Sequence, residues 1–411
     1  MTSRRTLSFA RLCAFNAGIQ LVWGAILGIS LQARTIALSP DGDAVARYSV
    51  LAAFGALVAT VTQLLAGRAS DHVRSAGGGR GRFYAVGVGL ALPALATFFV
   101  VPNFPALAIA FLALEGTFNL AIGPYQAIIP DFVPRSRRGV ASAWMSAYQS
   151  FGNACGLLVA GLVADTHIVA VVLAVPLFAS YAISSRHARA LSHRDAAGEI
   201  DVTTDRADGY APRAPNARTS GTNLAALLFS RGAINVGFFA LLDYLLFFVR
   251  DSLRIAPERV QSTTAFVFLT FTVAAIVGAI VAAKPADRAD KRLVVTIAIA
   301  IVVLSLGVLA GATSLPVAFA SAGVAGGAWG AFVTADWALA TAVLPARAMA
   351  TAMGIWNVAT TLPQVIAPLI AGPLVVYASA AHSGFGPRAA IVFAMLAFTI
   401  GAGAVWRLPR V

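Results

Sequence analysis

The chain has 411 residues, of which 59% are hydrophobic and 11% charged, against about a quarter charged in an average soluble domain. That balance excludes a water-soluble fold, and apolar runs of roughly 17 to 25 residues, the length that crosses about 30 Å of hydrocarbon as helix, recur along the whole chain. The net charge of +13 does not point to nucleic acid, because Lys and Arg sit in short links between apolar runs rather than on one basic domain.

The first run follows Arg4, Arg5 and Arg11. It is long, carries Asn16 and Gln20, and lacks a small-residue cleavage site, so it reads as a retained helix rather than a signal peptide. Spans are expected at 12–33, 48–67, 83–101, 104–127, 139–163 and 167–185, then at 223–249, 260–283, 293–311, 316–343, 347–376 and 388–406. Residues 186–221 are rich in Arg, Asp, Ala and Pro and almost free of large apolar side chains, the composition of a linker. The expected architecture is an all-α membrane protein with twelve transmembrane helices. Residues 1–185 form one six-helix half, 186–221 a cytoplasmic linker and 222–411 a second half, the two bundles being pseudo-symmetric around a central cavity.

If the N-terminus is cytoplasmic, every Lys and Arg falls inside except Arg34, Arg47, Arg250, Arg254, Arg259, Arg388 and the intramembrane Arg231. This asymmetry predicts both termini inside, with a bacterial inner membrane as the location. Cys13 and Cys155 fall inside apolar spans and read as free thiols acting as small apolar side chains. The halves also repeat. Val133-Pro134 with Arg138 and Trp144 before and in the fifth span is echoed by Leu344-Pro345 with Arg347 and Trp356 at the eleventh.

An ionised side chain near the bilayer centre costs about 2.5 to 3.5 kcal/mol even on a lenient scale, so such residues should face protein or water. Asn16 and Gln20 lie in the first span, Glu115, Asn119 and Gln126 in the fourth, Gln149 and Asn153 in the fifth, Arg231, Asn235 and Asp243 in the seventh, Asp336 in the tenth, and Asn357 and Gln364 in the eleventh. The third, sixth, ninth and twelfth carry only scattered hydroxyls. The pattern predicts a cavity walled by the first, fourth, seventh and tenth helices, with every third helix facing lipid.

At 100° per residue, Glu115, Asn119 and Gln126 share one helix face, as do Asn16, Gln20 and Trp23, and Asn357, Thr361 and Gln364. Two readings of the amides stay open: lining of a cavity, or interhelical hydrogen bonds worth about 0.6 kcal/mol each. For the acids a functional role is expected, with Glu115 near mid-membrane, Asp243 nearer the outside and Asp336 nearer the inside. A carboxyl in a cavity that opens to either side in turn can carry a proton across. For Asp243 the competing reading is a structural pair with Arg231, about three turns away. Trp329 shares a face with Asp336, seven residues on, and could form an aromatic platform beside an acid, although packing is the commoner use of membrane tryptophans.

After the second span the chain reads Gly67, Arg68, Ala69, Ser70, Asp71, His72, then a Gly-rich stretch to Arg80, Gly81 and Arg82. This resembles the signature loop of the major facilitator superfamily, in which it acts as a cytoplasmic latch. On that resemblance Gly67 permits close helix approach, Asp71 caps the eleventh helix, and Arg80 or Arg82 bridges to Asp131, with Arg138 nearby. His72, where the family has Arg or Lys, and Gly81, which interrupts the Arg pair, are departures that would weaken the latch or make it pH-sensitive. Gly123-Pro124-Tyr125-Gln126, Ile129-Pro130-Asp131 and Arg138-Gly139 are similar to the branch of glycoside–pentoside–hexuronide and sucrose-type cation symporters. The resemblance implies secondary transport of a small, sugar-like solute with protons by a monomer in the lipid bilayer. The sequence itself shows no metal-spaced Cys or His cluster and no phosphate-binding Gly-Lys-Ser loop, His72, His167, His187, His193 and His382 being scattered, so no cofactor, metal, nucleic-acid partner or enzymatic activity is expected.

Drug or metabolite efflux is disfavoured, because the fifth span reads Gly152, Asn153, Ala154, Cys155, Gly156 rather than a Gly-Pro run; these two glycines suggest close packing instead. A transporter-shaped solute sensor is the other alternative, with the linker as its only candidate partner surface.

Overall fold

A computed structural model describes residues 8–40, 42–76, 79–133, 137–196, 221–343, 349–382 and 384–408, without the side chains of 74–75, 130, 138–139, 192–196, 221–222, 284–288, 340–343 and 349–357. Among the described residues every regular element is helical. The first six long helices are α1 (Phe9–Ala25, continuing through a π-turn at Ile26–Ser30 to Leu31–Ala37), α2 (Ala44–Ser75), α3 (Gly81–Val100), α4 (Phe104–Tyr125), α5 (Arg138–Leu162) and α6 (Thr166–Ala196). The rest are α7 (Gly221–Phe247, followed by a π-turn at Phe248–Ser252), α8 (Pro257–Arg288), α9 (Lys291–Gly311), α10 (Leu315–Val343), α11 (Met349–Ala381) and α12 (Gly386–Val405). All twelve expected spans are present as helices. Eleven are long and apolar enough to cross a membrane among the described residues. The exception, α5, is long enough but is diluted by Ser142, Ser146, Gln149, Ser150 and Asn153.

Local chemistry sets the ends. Asn103 caps α4, its side chain accepting from the Ala106 N–H at 3.0 Å, and Asp290 caps α9, accepting from the Arg292 N–H at 3.0 Å. Such caps stabilise a helix start by about 1 kcal/mol. Gly384, at φ +80, supplies the left-handed turn before α12 that a side chain would strain. Helices α2, α6 and α8 run past their apolar cores into polar sequence.

By packing, the chain forms two compact units. One comprises Met1–Arg34 with Gly55–Tyr210, and the other Thr35–Phe54 with Ala211–Val411. In the first unit α1 packs on α5 and α6, and α3 on α4 and α6. In the second, α7 packs on α11 and α12, and α9 on α10 and α12. The α8–α10 seam of the second unit has its match in the first, where Gly55 of α2 lies under Phe111 of α4 and Gly123 of α4 against the Gln63 backbone. The same helix pairs thus recur in order, and α1 and α7 each carry a π-turn towards the same end. Sequence motifs showed this repeat only faintly, and Pro134, Arg347 and the Leu344-Pro345 pair lie outside the described residues.

Within a bilayer, helices are held by close van der Waals packing. A Cβ added at Gly24, Gly152 or Gly156 would overlap backbone across the α1–α5 seam, and one at Gly278, Gly326 or Gly330 would do so across α8–α10. Exposed apolar side chains are not confined to every third helix, contrary to expectation. The most apolar stretch of α8 is 17% buried and that of α2 22%, against 50% for α12. The reason is contact number along the bundle: α12 has α7, α9 and α11 around it, whereas α8 packs chiefly on α10.

Candidate functional site

In the first unit Glu115 of α4 is buried, 3% exposed. Its neighbour one turn on, Asn119, donates through Nδ2 to Glu115 Oε2 at 3.1 Å and to the Glu115 carbonyl at 2.9 Å. Trp23 of α1 packs on Phe118 of α4, ring centroids 5.0 Å apart. Asn16 is buried and donates to the Met145 carbonyl at 2.8 Å, so this amide ties α1 to α5. Gln20 and Asn153 are half-buried beside the same seam. Gln126 departs from the expected stripe. The helix closes at Tyr125, just past Gly123-Pro124, which leaves Gln126 exposed at its C-cap rather than on the face of Glu115 and Asn119.

At the end of the first unit where α2 and α4 finish, Arg80 gathers three groups. Its Nε lies 2.8 Å from Asp131 Oδ2, and its Nη1 lies 2.6 Å from both Asp71 Oδ1 and Ser70 Oγ. One guanidinium thereby joins the end of α2, the start of α3 and the one-turn helix Ile128–Phe132. Burial lowers the basicity of Arg80, and the Asp71 and Asp131 carboxylates more than offset this, leaving it above the ordinary guanidinium value. Arg82 is exposed, its guanidinium 5.7 Å from the Phe83 ring centroid. Among the described residues, no atom beyond its own helix turn lies within 4 Å of the position a Gly67 Cβ would take, and residues 344–348 at the start of the eleventh span lie outside them. The Arg138 side chain lies outside the described residues.

The second unit brings together the half-buried Arg231 of α7 and the buried Asp336 of α10 as an ion pair. Arg231 Nε also donates to Thr360 Oγ1 at 3.3 Å. Asn235, one turn along α7, donates to the Arg231 carbonyl at 2.9 Å and to the Ala359 carbonyl of α11 at 3.3 Å. Two turns from the ion pair on both helices, Trp329 stacks on Phe238, centroids 4.5 Å apart at 10°. The antiparallel register explains this: Arg231 and Phe238 are seven apart on α7, as are Trp329 and Asp336 on α10, so both pairs meet across one seam. The aromatic ring that Trp329 offers is therefore covered by Phe238, and Arg231 pairs with Asp336 rather than Asp243.

Asp243 instead accepts a hydrogen bond from the Tyr48 hydroxyl at 2.9 Å. Beside it the Ser49 and Tyr244 hydroxyls lie 2.6 Å apart, and Gly372 of α11 leaves room for Ser49 where any Cβ would collide. Gln364 is half-buried on α11, and the Asn357 side chain lies outside the described residues. Thr360, Phe238 and Tyr48 are the partners that the polar pattern of the sequence does not single out, and Arg231 is singled out there with Asp243 as its partner. The repeated spacing of seven on α7 and α10 is the available signal for Phe238 and for the pairing of Arg231 with Asp336.

A helical bundle in two repeated units, with acids and an arginine set among long apolar spans, defines a multi-pass membrane protein. The sequence profile of the Major Facilitator Superfamily matches residues 9–368, and the chain belongs to that family. No curated protein matches the sequence. Among solved structures it is similar to a nucleoside transporter, NupG (14% identity, 98% of this chain and 99% of that one, TM-score 0.69). It is similar also to a bacterial homologue of the human lysosomal transporter Spinster (14%, 97% and 95%, 0.67) and to a bacterial homologue of the iron transporter ferroportin (13%, 97% and 97%, 0.67). At these identities the likeness concerns the fold.

Proposed function

We propose that this secondary transporter moves a small polar solute, sugar-like as in the glycoside–pentoside–hexuronide and sucrose-type symporters, together with protons. Halves 1–185 and 222–411, joined by 186–221, would alternate in exposing a cavity walled by α1, α4, α7 and α10. The observation that carries this reading is the pair of buried polar centres: Glu115 with Asn119 on α4, and Arg231–Asp336 with Asn235 on α7 and α10. Charged groups are costly at membrane depth and stand there for transport chemistry or for pairing. Glu115 fits the role of proton carrier, because its partner is a neutral amide that serves either charge state. Asp336 and Asp243 are the further acids of the pathway, with Trp23, Asn16, Gln20, Asn153, Asn357 and Gln364 as its neutral lining. Gly67, Asp71, Arg80, Arg82, Asp131 and Arg138 form the cytoplasmic gate in this reading, in a monomer of a bacterial inner membrane with both termini inside.

Proteoliposomes loaded at different internal pH test it. Uptake of a radiolabelled sugar panel should rise with an imposed inward proton gradient, and Glu115→Gln should uncouple uptake from that gradient while leaving exchange. Uptake indifferent to the gradient would overturn proton coupling, and full coupling in both Glu115→Gln and Asp336→Asn would overturn the assignment of carriers.

A further inference from the structure

Helix α11 carries three prolines within its length, Pro363, Pro368 and Pro373. A proline has no N–H, so each leaves the carbonyl four residues back without its helical donor. Pro93 of α3, Pro124 of α4 and Pro176 of α6 do the same. The carbonyls so freed are those of Gly89, Leu120, Val172, Ala359, Gln364 and Leu369. Among the described residues only that of Ala359 accepts a hydrogen bond from a side chain, and the donor is Asn235 Nδ2 of α7 at 3.3 Å. In a bilayer, where water is absent, a neighbouring helix is the usual source of such a replacement donor.

Asn235 is 8% exposed, and its amide nitrogen serves two carbonyls, that of Arg231 at 2.9 Å and that of Ala359. One turn back on α7, Arg231 donates to Thr360 Oγ1 at 3.3 Å and pairs with Asp336 of α10. Two consecutive residues of α11 are thus held from α7, just before the proline. The like contact in the first unit has a different meaning. There Asn16 of α1 donates to the Met145 carbonyl of α5 at 2.8 Å, but the residue four further on is Gln149, whose N–H is present to make the helical bond. Asn16 adds to a complete helix, whereas Asn235 replaces a bond that α11 lacks.

Helices bend most readily where a proline interrupts their hydrogen-bond ladder. We propose that Ala359–Pro363 is a joint in α11, that Asn235 is the positioning residue that keeps it closed, and that Arg231 ties the joint to the charge of Asp336. A proton or solute that takes Asp336 from Arg231 frees the guanidinium that holds Thr360, and Asn235 alone then keeps the joint closed. The link to Asp336 rests on the transport pathway proposed above; the joint itself does not.

Amide hydrogen exchange, followed by mass spectrometry on the full chain in detergent micelles, tests this on the peptide that spans residues 358–366. Asn235→Leu keeps the side-chain volume and removes the donor, and should speed exchange there about fivefold, the ratio that one hydrogen bond of about 1 kcal/mol gives. Pro363→Ala returns a backbone donor to the Ala359 carbonyl and should slow exchange. Asn235→Leu added to Pro363→Ala should then change the rate by less than about twofold. Asp336→Asn in the otherwise wild-type chain should speed exchange, by less than Asn235→Leu does. Equal acceleration by Asn235→Leu with and without Pro363 would overturn the joint, because Asn235 would then be a plain packing contact. Pro363→Ala without effect would overturn it as well, and that variant removes no contact needed for folding. Exchange unmoved by Asp336→Asn would overturn the link to the ion pair. None of these readouts depends on proton-coupled uptake, so failure of that reading is told apart from failure of this one.

Discussion

The two units repeat their helix pairs but not their buried charges. In the first, Glu115 is held by an amide on its own helix; in the second, Asp336 is held by a cation on another helix. By count the positions do not even match. Glu115 stands eleven residues after Phe104, and eleven residues after Leu315 stands Gly326, a contact point with the α8 backbone. The difference teaches what each site is suited for. Changing the charge of Glu115 breaks no contact between helices, whereas changing the charge of Asp336 alters the α7–α10 seam itself. An acid whose contacts stay on one helix and an acid that bridges two are thus separated between units that share a scaffold.

The sharpest way to break this comparison is to remove one acid from each unit. Asp336→Ala deprives Arg231 of its carboxylate and should destabilise the protein by about 3 to 5 kcal/mol, while Arg231→Met with Asp336→Leu should recover most of that loss; thermal unfolding in nanodiscs measures both. Next in size is the α1–α5 seam. Gly156→Ala should cost about 1 to 3 kcal/mol, because its new methyl meets the Leu21 backbone, which cannot swing aside. Arg80→Ala should cost about 2 kcal/mol, chiefly through Asp131, since Asp71 is 70% exposed and its pair is screened by solvent. Arg80→Lys should recover only part, a single ammonium lacking the fork that reaches two carboxylates.

Glu115→Gln, the counterpart of the first test, should shift stability by about 1 kcal/mol or less, the Asn119 amide finding an acceptor in either side chain. An unfolding loss as large as that of Asp336→Ala would erase the distinction between the units. The smallest effect, and one of opposite sign, is expected at Gly67→Ala. With open space at Cβ and a helical backbone, it should stabilise α2 by up to about 1 kcal/mol.

Hydropathy was enough to locate all twelve helices, since a membrane demands long apolar runs with internally bonded backbone. It misjudged where they stop. Arg68 to Ser75, Arg186 to Ala196 and Lys284 to Arg288 are helical because backbone hydrogen bonds continue into polar sequence, to which an apolar count is blind. The bridge from Arg80 to Asp131 was legible from the family loop. Arg231 illustrates the other limit. Its nearest acid in sequence on the same helix is Asp243, yet its partner is 105 residues away. Only the matching spacing of seven on α7 and α10 hints at that seam, and it does so only once the two helices are known to lie side by side.

Residues 35–54 precede the linker in the chain but pack with the unit that follows it. During synthesis, Tyr48 and Ser49 therefore emerge long before Asp243 and Tyr244 exist to receive them. A fragment beginning after the linker would lack the donor that Tyr48 gives Asp243 and the hydroxyl that fills the space above Gly372. Cutting the gene at the linker should accordingly yield a C-terminal piece that matures only when the N-terminal piece is made in the same cell.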